Sequence, residues 1–578
     1  MLSSKTKKNI KLKFKEIYNK IYNYKDIEIY SNEIIDLINK SNKIKKRKNN
    51  IKIDEKTALI ICYADSVLET NKPHTLKAFK SFYNKYLKNY FNTVHFLPFY
   101  PSSSDSGFAV KDHYKIDKRY GSWSDINDFS KKNLIMADVV INHASSRGLW
   151  FKNYLKMKSP GKNYFFTINS RFNASKVVRP REHPLLKKIN IFNKNEFLWR
   201  TFSPDQIDLN FKNPKVLMRF IKIIINLINH GVSIFRLDAI AYLWKQDGTK
   251  CINLKQTHMI IKLIRAVCNS INKQAIIVTE TNLPEKENIS YFGNHDEANW
   301  IYNFSLPPLL VYSFLFENSN KLNNWSKKLP LAKKGNSYLN FLASHDGIGM
   351  RPAEGFLDKI EINNLLRRLK KNGSEFSYRK VQNKRKLVYE ANTTIIDALK
   401  KSNEDKEGKY FIERFVSAHA IIMAFDGVPG IYFNSIFGTS NDVNKYIISN
   451  NKRDLNRYRW NKLRLEKSLK NKKTKHKIVY DKITSLLKTR INQKAFNPNA
   501  KRMTLNLGSK FFGIKRICLN KKQVIYSITN ITSKNQKLKI KSDLAKFNSL
   551  LTKKINLIDK RTLLFRPFET MWLSNKKN

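Results

Sequence analysis

The chain has 578 residues, 41% of them hydrophobic, and a formal net charge of +63. That is enough apolar material for a large core, yet no run reaches the roughly 18 apolar residues of a membrane span. The basic excess invites a nucleic-acid reading, but the lysines are spread along the chain beside Asn and Ile, as AT-rich coding would supply them, and no dedicated nucleic-acid module is present.

The N-terminus carries basic residues without the apolar stretch of a secretory signal. Four scattered cysteines with no CxxC pair suit reduced thiols better than a disulfide frame or a zinc site. A cytoplasmic location is therefore expected. Residues 1–55 read as a polar, amphipathic helical extension. Eight apolar runs of strand length follow, at 58–63, 94–97, 134–141, 233–237, 275–279, 300–304, 338–343 and 430–433, with helical stretches between them. That alternation predicts a parallel sheet. Polar residues gather at the C-terminal ends of several runs, which points to an α/β fold of (β/α)8 TIM-barrel type with its active site on that face.

The barrel is assigned to 56–143 and 206–495. The span 144–205, rich in aromatics, Arg and Pro, is too long for an ordinary βα loop and reads as an inserted subdomain after strand three. A basic insert at 350–410 has a helical pattern, and 496–578 reads as a C-terminal β domain.

The run GVSIFRLDAIAYLWK (231–245) anchors the functional reading. Alternation points Arg236 and Asp238 the same way at a strand's end, and an adjacent arginine keeps a carboxylate ionised. An ionised Asp suits a nucleophile at a sugar carbon. A structural ion pair is the plain alternative. Glu280 follows the apolar run AIIV, where desolvation would raise its pKa and suit an acid. Asp346, His143 and His345 stand at other strand ends and could bind sugar hydroxyls. Three acids and two histidines in this arrangement predict retaining chemistry at a glycosidic bond.

DVVINH (138–143), FRLDAI (235–240), ETN (280–282) and ASHDG (343–347) resemble the four signature regions of the α-amylase superfamily, glycoside hydrolase family 13. The resemblance implies Asp238 as nucleophile, Glu280 as acid/base, Asp346 as transition-state stabiliser, and His143, Arg236 and His345 in the glucose subsite. FLPFYPSSSDSGFAVKDHYKIDKRYGSWSDI (96–126), FSLPPLL (304–310), HDGIGMRPAEG (345–355) and RDLNR (453–457) look like the sucrose phosphorylase subfamily, and RPREHPLL (179–186) looks like its glucosylglycerate phosphorylase branch. By that resemblance Asp105 and Arg453 clamp the glucose unit, Phe108 and Phe202 form an aromatic platform, Tyr242 and Lys245 lie on the acceptor side, and Arg181 contacts phosphate.

Arginine meets phosphate bidentately, so Arg179, Arg181 and Arg351 are phosphate or acceptor candidates, with solvated surface charge as the plain alternative. The N-terminal extension and 356–410 depart from the subfamily pattern. Asn142 falls where calcium-dependent amylases have a ligand, but one Asn is far from a calcium shell, and neither metal nor cofactor is expected. The expected activity is a retaining α-glucosyl phosphorylase using an α-glucoside, glucosylglycerate or sucrose, and inorganic phosphate. A hydrolase or transglucosylase on the same scaffold is the alternative, and a non-catalytic carbohydrate- or nucleic-acid-binding barrel is the rival from another class.

Overall fold

Eight strands of this computed structural model close into one parallel barrel. They are β1 (Leu59–Cys62), β2 (Thr93–Phe96), β3 (Leu134–Val140), β4 (Val232–Asp238), β5 (Ile276–Thr279), β6 (Trp300–Tyr302), β7 (Ser337–Asn340) and β8 (Val428–Tyr432). Neighbours follow chain order, with β8 closing on β1. Each coincides with one of the predicted apolar runs, because a barrel strand is buried on both faces and reads as continuous hydrophobic sequence. The structure describes all residues except Met1, 44–50, 71–73, 170, 192–193, 382–385, 540–546, 553–555, 560 and 577–578. Parts of the predicted extension, insert and terminal domain thus lie outside the described residues. Among the described residues no helix is long and apolar enough to cross a membrane.

The extension forms α1 (Ser4–Tyr18) and α2 (Tyr24–Lys43). Ile10, Phe14 and Ile17 on α1, and Ile34 and Ile38 on α2, turn inward at helical spacing. The pair packs on α3 (Pro214–Asn229) and α4 (Lys255–Ile271), the helices flanking β4. The Tyr18 hydroxyl donates to Phe211 O at 3.0 Å. The start of α3 has local causes: Asn213 caps it by accepting from Lys215 N, and Pro214 opens its first turn.

The chain leaves the barrel after β3 and returns through Gln206–Asp208, which pairs antiparallel with His143–Ser145. A three-stranded sheet, Thr167–Ile168, Lys194–Trp199 and Leu186–Ile191, fills the excursion. The insert after β7 corrects the helical expectation. It holds a helix, α5 (Lys359–Lys371), but also an antiparallel hairpin of Glu375–Lys380 and Lys386–Asn392, whose second strand pairs with Ile348–Gly349. Arg379, Lys380 and Lys386, gathered towards its turn, gave the segment a basic texture that obscured the period of two.

The C-terminal strands grip the turn before β8 through buried arginines. Arg502 Nε pairs with Asp426 Oδ1 at 2.5 Å and its Nη2 donates to Leu329 O at 2.7 Å. Arg516 Nη1 donates to Ala424 O at 2.5 Å. Replacing Arg502 by Ala leaves Asp426 buried without its cation, and breaking such a pair costs about 3–5 kcal/mol. Denaturant unfolding of Arg502→Ala should therefore show a clearly earlier transition; a midpoint equal to wild type would remove the clamp from this account.

Candidate active site

The floor of the site is an ion pair between adjacent strands. Arg236 of β4 stands opposite Asp138 of β3. Its Nη1 donates to Asp138 Oδ1 and, at 2.6 Å, to Asp238 Oδ1, two residues on along the same face. Asp138 Oδ2 lies 2.9 Å from His95 Nε2. Burial would raise the Asp138 carboxyl, but Arg236 and His95 override it and hold it below the usual range.

This geometry corrects one expectation. Arg236 is shared, so Asp238 does not gain a cation of its own. Burial pushes its carboxyl well up, aided by Glu280 and Asp138 and opposed by Arg236. Burial also raises Glu280, with Asp346 and Glu390 adding to it, against Arg236 and the Ala239 amide. Ala239 adopts a left-handed conformation directly after β4, and its N–H donates to Glu280 Oε2 at 3.0 Å. The two carboxyls titrate as a pair. The guanidinium is 2.6 Å from Asp238 but 4.0 Å from Glu280. When the pair holds one proton, the closer guanidinium favours the charge on Asp238, against the burial that raises its carboxyl, and the proton on Glu280. A charged carboxylate and a protonated carboxyl in one cavity can act as nucleophile and acid.

The opposite wall is a second ion cluster. Arg453 reaches Asp346 at 3.1 Å, Asp105 at 3.2 Å and Glu390 at 3.1 Å. Arg457 reaches Asp105 at 3.2 Å, and its Nε donates to His345 O at 3.0 Å. Burial would raise Asp346, but Arg453, His345 and Arg457 hold it far below the usual carboxylate range. Burial lowers His345 to about 3, so its ring is neutral, stacked on Phe108 at 5.0 Å between centroids. His143 is lowered by burial too, with Nε2 3.1 Å from Phe108 O. Asp105 and Phe108 flank a tight turn where only glycine fits: a Cβ on Gly107 would meet Pro98 O at 2.4 Å.

All the predicted site residues line one cavity, open at its mouth, except Arg179, Arg236, Lys245 and Arg351. Arg236 lies beneath, beside a smaller adjoining void. Lys245 does not face the acceptor side. Its ammonium sits 2.7 Å from Asp208 Oδ2 and 3.1 Å from Asn142 Oδ1, tying the loop after β4 to the strand that returns from the subdomain. Arg179 turns to His183 O and lines a separate groove between the subdomain and the insert. Arg351 is buried and does not itself line the cavity; its charge acts on the hydroxyl of Tyr242, which does. Of the three candidate arginines, Arg181 alone is on the wall. Its Nη2 is 3.2 Å from Glu390 Oε1, and its guanidinium lies over the Tyr389 ring at 4.9 Å.

Sequence reasoning passed over Asp138, Arg457, Tyr389 and Glu390. The first two sit inside motifs already quoted, DVVINH and RDLNR. Tyr389 and Glu390 lie in the unrecognised hairpin, where alternation in KLVYEAN was the available signal.

Comparison with known proteins follows this geometry. Residues 84–348 match the family described as Alpha amylase, catalytic domain. Glucosylglycerate phosphorylase of Escherichia coli (strain K12) is 34% identical over 526 residues, covering 90% of this chain and 92% of that one. Glucosylglycerate phosphorylase of Allomeiothermus silvanus is 38% identical over 447 residues, covering 77% and 80%. The crystal structure of sucrose 6F-phosphate phosphorylase from Thermoanaerobacter thermosaccharolyticum superposes with a TM-score of 0.71 at 22% identity, over 84% of this chain and 95% of that one, which speaks to the fold.

The coupled carboxyls predict a bell-shaped dependence of kcat/KM on pH. Turnover appears as the pair loses its first proton and is lost as pH rises through the second. Because Glu280 is raised from 4.5, the falling limb should lie above the ordinary glutamate range. In Glu280→Gln the residual rate should lose that limb. A falling limb that survives unchanged in the variant would assign it to another group.

Proposed function

The chain belongs to the α-amylase superfamily, glycoside hydrolase family 13, among its glycoside phosphorylases, and from that premise we propose that its donor is glucosylglycerate, cleaved by phosphate through a covalent glucosyl–Asp238 intermediate. Asp238 attacks the anomeric carbon while Glu280 gives its proton to the departing glycerate oxygen. A C1–O bond to glycerate breaks and a C1–Oδ bond to Asp238 forms. Phosphate then attacks C1 from the vacated side, Glu280 takes its proton, and Asp238 is released. Two inversions give α-glucose 1-phosphate with retention. Asp346, kept anionic by Arg453 and Arg457, stabilises the positive charge that develops on the sugar ring. Asp105 and Arg453, tied at 3.2 Å, hold the glucose hydroxyls against the Phe108 platform.

One observation carries the choice of an anionic acceptor: Arg181 lines the same cavity as Glu280. A planar guanidinium suits glycerate carboxylate and phosphate alike. The names of relatives at 34% and 38% identity support the same donor. The chain's +63 charge adds a field that draws both anions to the cavity mouth.

The test is release of glucose 1-phosphate from glucosylglycerate and from sucrose, with and without phosphate. Phosphate-dependent release from glucosylglycerate is expected, falling about a thousandfold or more in Asp238→Asn. Equal release of free glucose in either buffer would make the chain a hydrolase, and preference for sucrose would move the donor.

A further inference from the structure

We propose that Glu390 is a resident counter-anion of the acceptor subsite: it occupies Arg181 after one anionic acceptor leaves and before the next arrives, and so weakens the binding of both. The inference rests on the phosphorylase reading above and adds to it a residue that sets affinity and exchange.

Glu390 is delivered rigidly. It lies in Lys386–Asn392, the middle strand of a three-stranded sheet, with Gly349 opposite on one side and Ser377 on the other. Its side chain is buried and lines the cavity. Two arginines from distant parts of the chain converge on it, Arg181 from the subdomain and Arg453 from the segment after β8.

The two arginines depend on it unequally. Arg453 also holds Asp346 and Asp105, at 3.1 and 3.2 Å. Among the described residues, Arg181 has no other carboxylate within ion-pair distance; it otherwise donates to Pro180 O at 3.2 Å and rests on the rings of Tyr389 and Phe202. Asp105, Asp346 and Glu390 face Arg181, Arg453 and Arg457, so this wall is charge-balanced before any ligand enters.

That balance has a kinetic meaning. In the proposed two-step reaction, glycerate must leave before phosphate enters. A guanidinium left unpaired in a buried site is costly, and the cost would hold the first anion in place. Glu390 takes over the freed donors of Arg181. The incoming phosphate must then share or displace it, so affinity is lower and exchange is faster.

The experiment uses the full chain with α-glucosyl fluoride as donor, so that fluoride leaves as Asp238 bonds to C1 and phosphate then takes the glucosyl group. Glu390→Gln keeps the shape and removes the charge. The phosphate KM should fall about tenfold. With glucose 1-phosphate as donor, the KM for D-glycerate should fall similarly, while that for fructose, a neutral acceptor, should not move. In an Arg181→Ala background, Glu390→Gln should no longer change the phosphate KM. Should Glu390→Gln fold poorly, Glu390→Asp, which draws the carboxylate back by one methylene, should give a smaller fall in the same direction. A phosphate KM unchanged or raised, with kcat alone reduced, would overturn the inference and leave Glu390 as a strut for Arg453. So would a fall that persists without Arg181. Failure of the wild-type chain to form glucose 1-phosphate from the fluoride and phosphate would instead overturn the phosphorylase reading, and the inference with it.

Discussion

Arg236 lies between two buried carboxylates, and the rest of the site is arranged around that contact. Its guanidinium joins Asp138 on β3 to Asp238 on β4, so the interaction spans a barrel seam rather than lying within one strand. Neither acid would readily stay charged there alone, and the arginine would be a buried cation without a counter-charge. The register is correspondingly strict. A slip of one residue would turn Arg236 and Asp238 away from Asp138 together. The left-handed turn at Ala239 then aims an amide at Glu280, so one strand end orients both carboxyls of the coupled pair.

The wall facing them follows a different rule. The floor concentrates carboxylates around one cation, whereas the wall alternates acids and arginines until the charges cancel. In a chain of net charge +63, that local balance matters. The overall field raises the concentration of anions outside the cavity. What binds inside is decided at short range, by which guanidinium hydrogen bonds are already taken.

The sequence was most readable where burial left little choice. Barrel strands must be apolar on both faces, so all eight stood out as short hydrophobic runs, and polar residues at their ends marked the functional rim. Asp238, Glu280 and Asp346 were legible for that reason. Side-chain direction beyond the strand ends was not. Lys245 follows the same motif as Asp238 but reaches Asp208 instead of the cavity. Arg179 and Arg181 are two residues apart and serve different surfaces. The hairpin carrying Tyr389 and Glu390 was hidden because Arg379, Lys380 and Lys386, gathered towards its turn, blur the alternation of the strands. The titration of Asp238 could not be read either, since it depends on Asp138 sharing the same arginine.

The two N-terminal helices carry a consequence for how the chain is made. They leave the ribosome well before their partners, α3 and α4, and the Tyr18–Phe211 hydrogen bond spans 193 positions. At about 5–20 residues per second, α1 waits about 10–40 s with Ile10, Phe14 and Ile17 uncovered. The extension is therefore synthesised well before the surface it docks on. Throughout that interval it presents an amphipathic surface to the quality-control machinery, and it is shielded only once the helices flanking β4 have been translated.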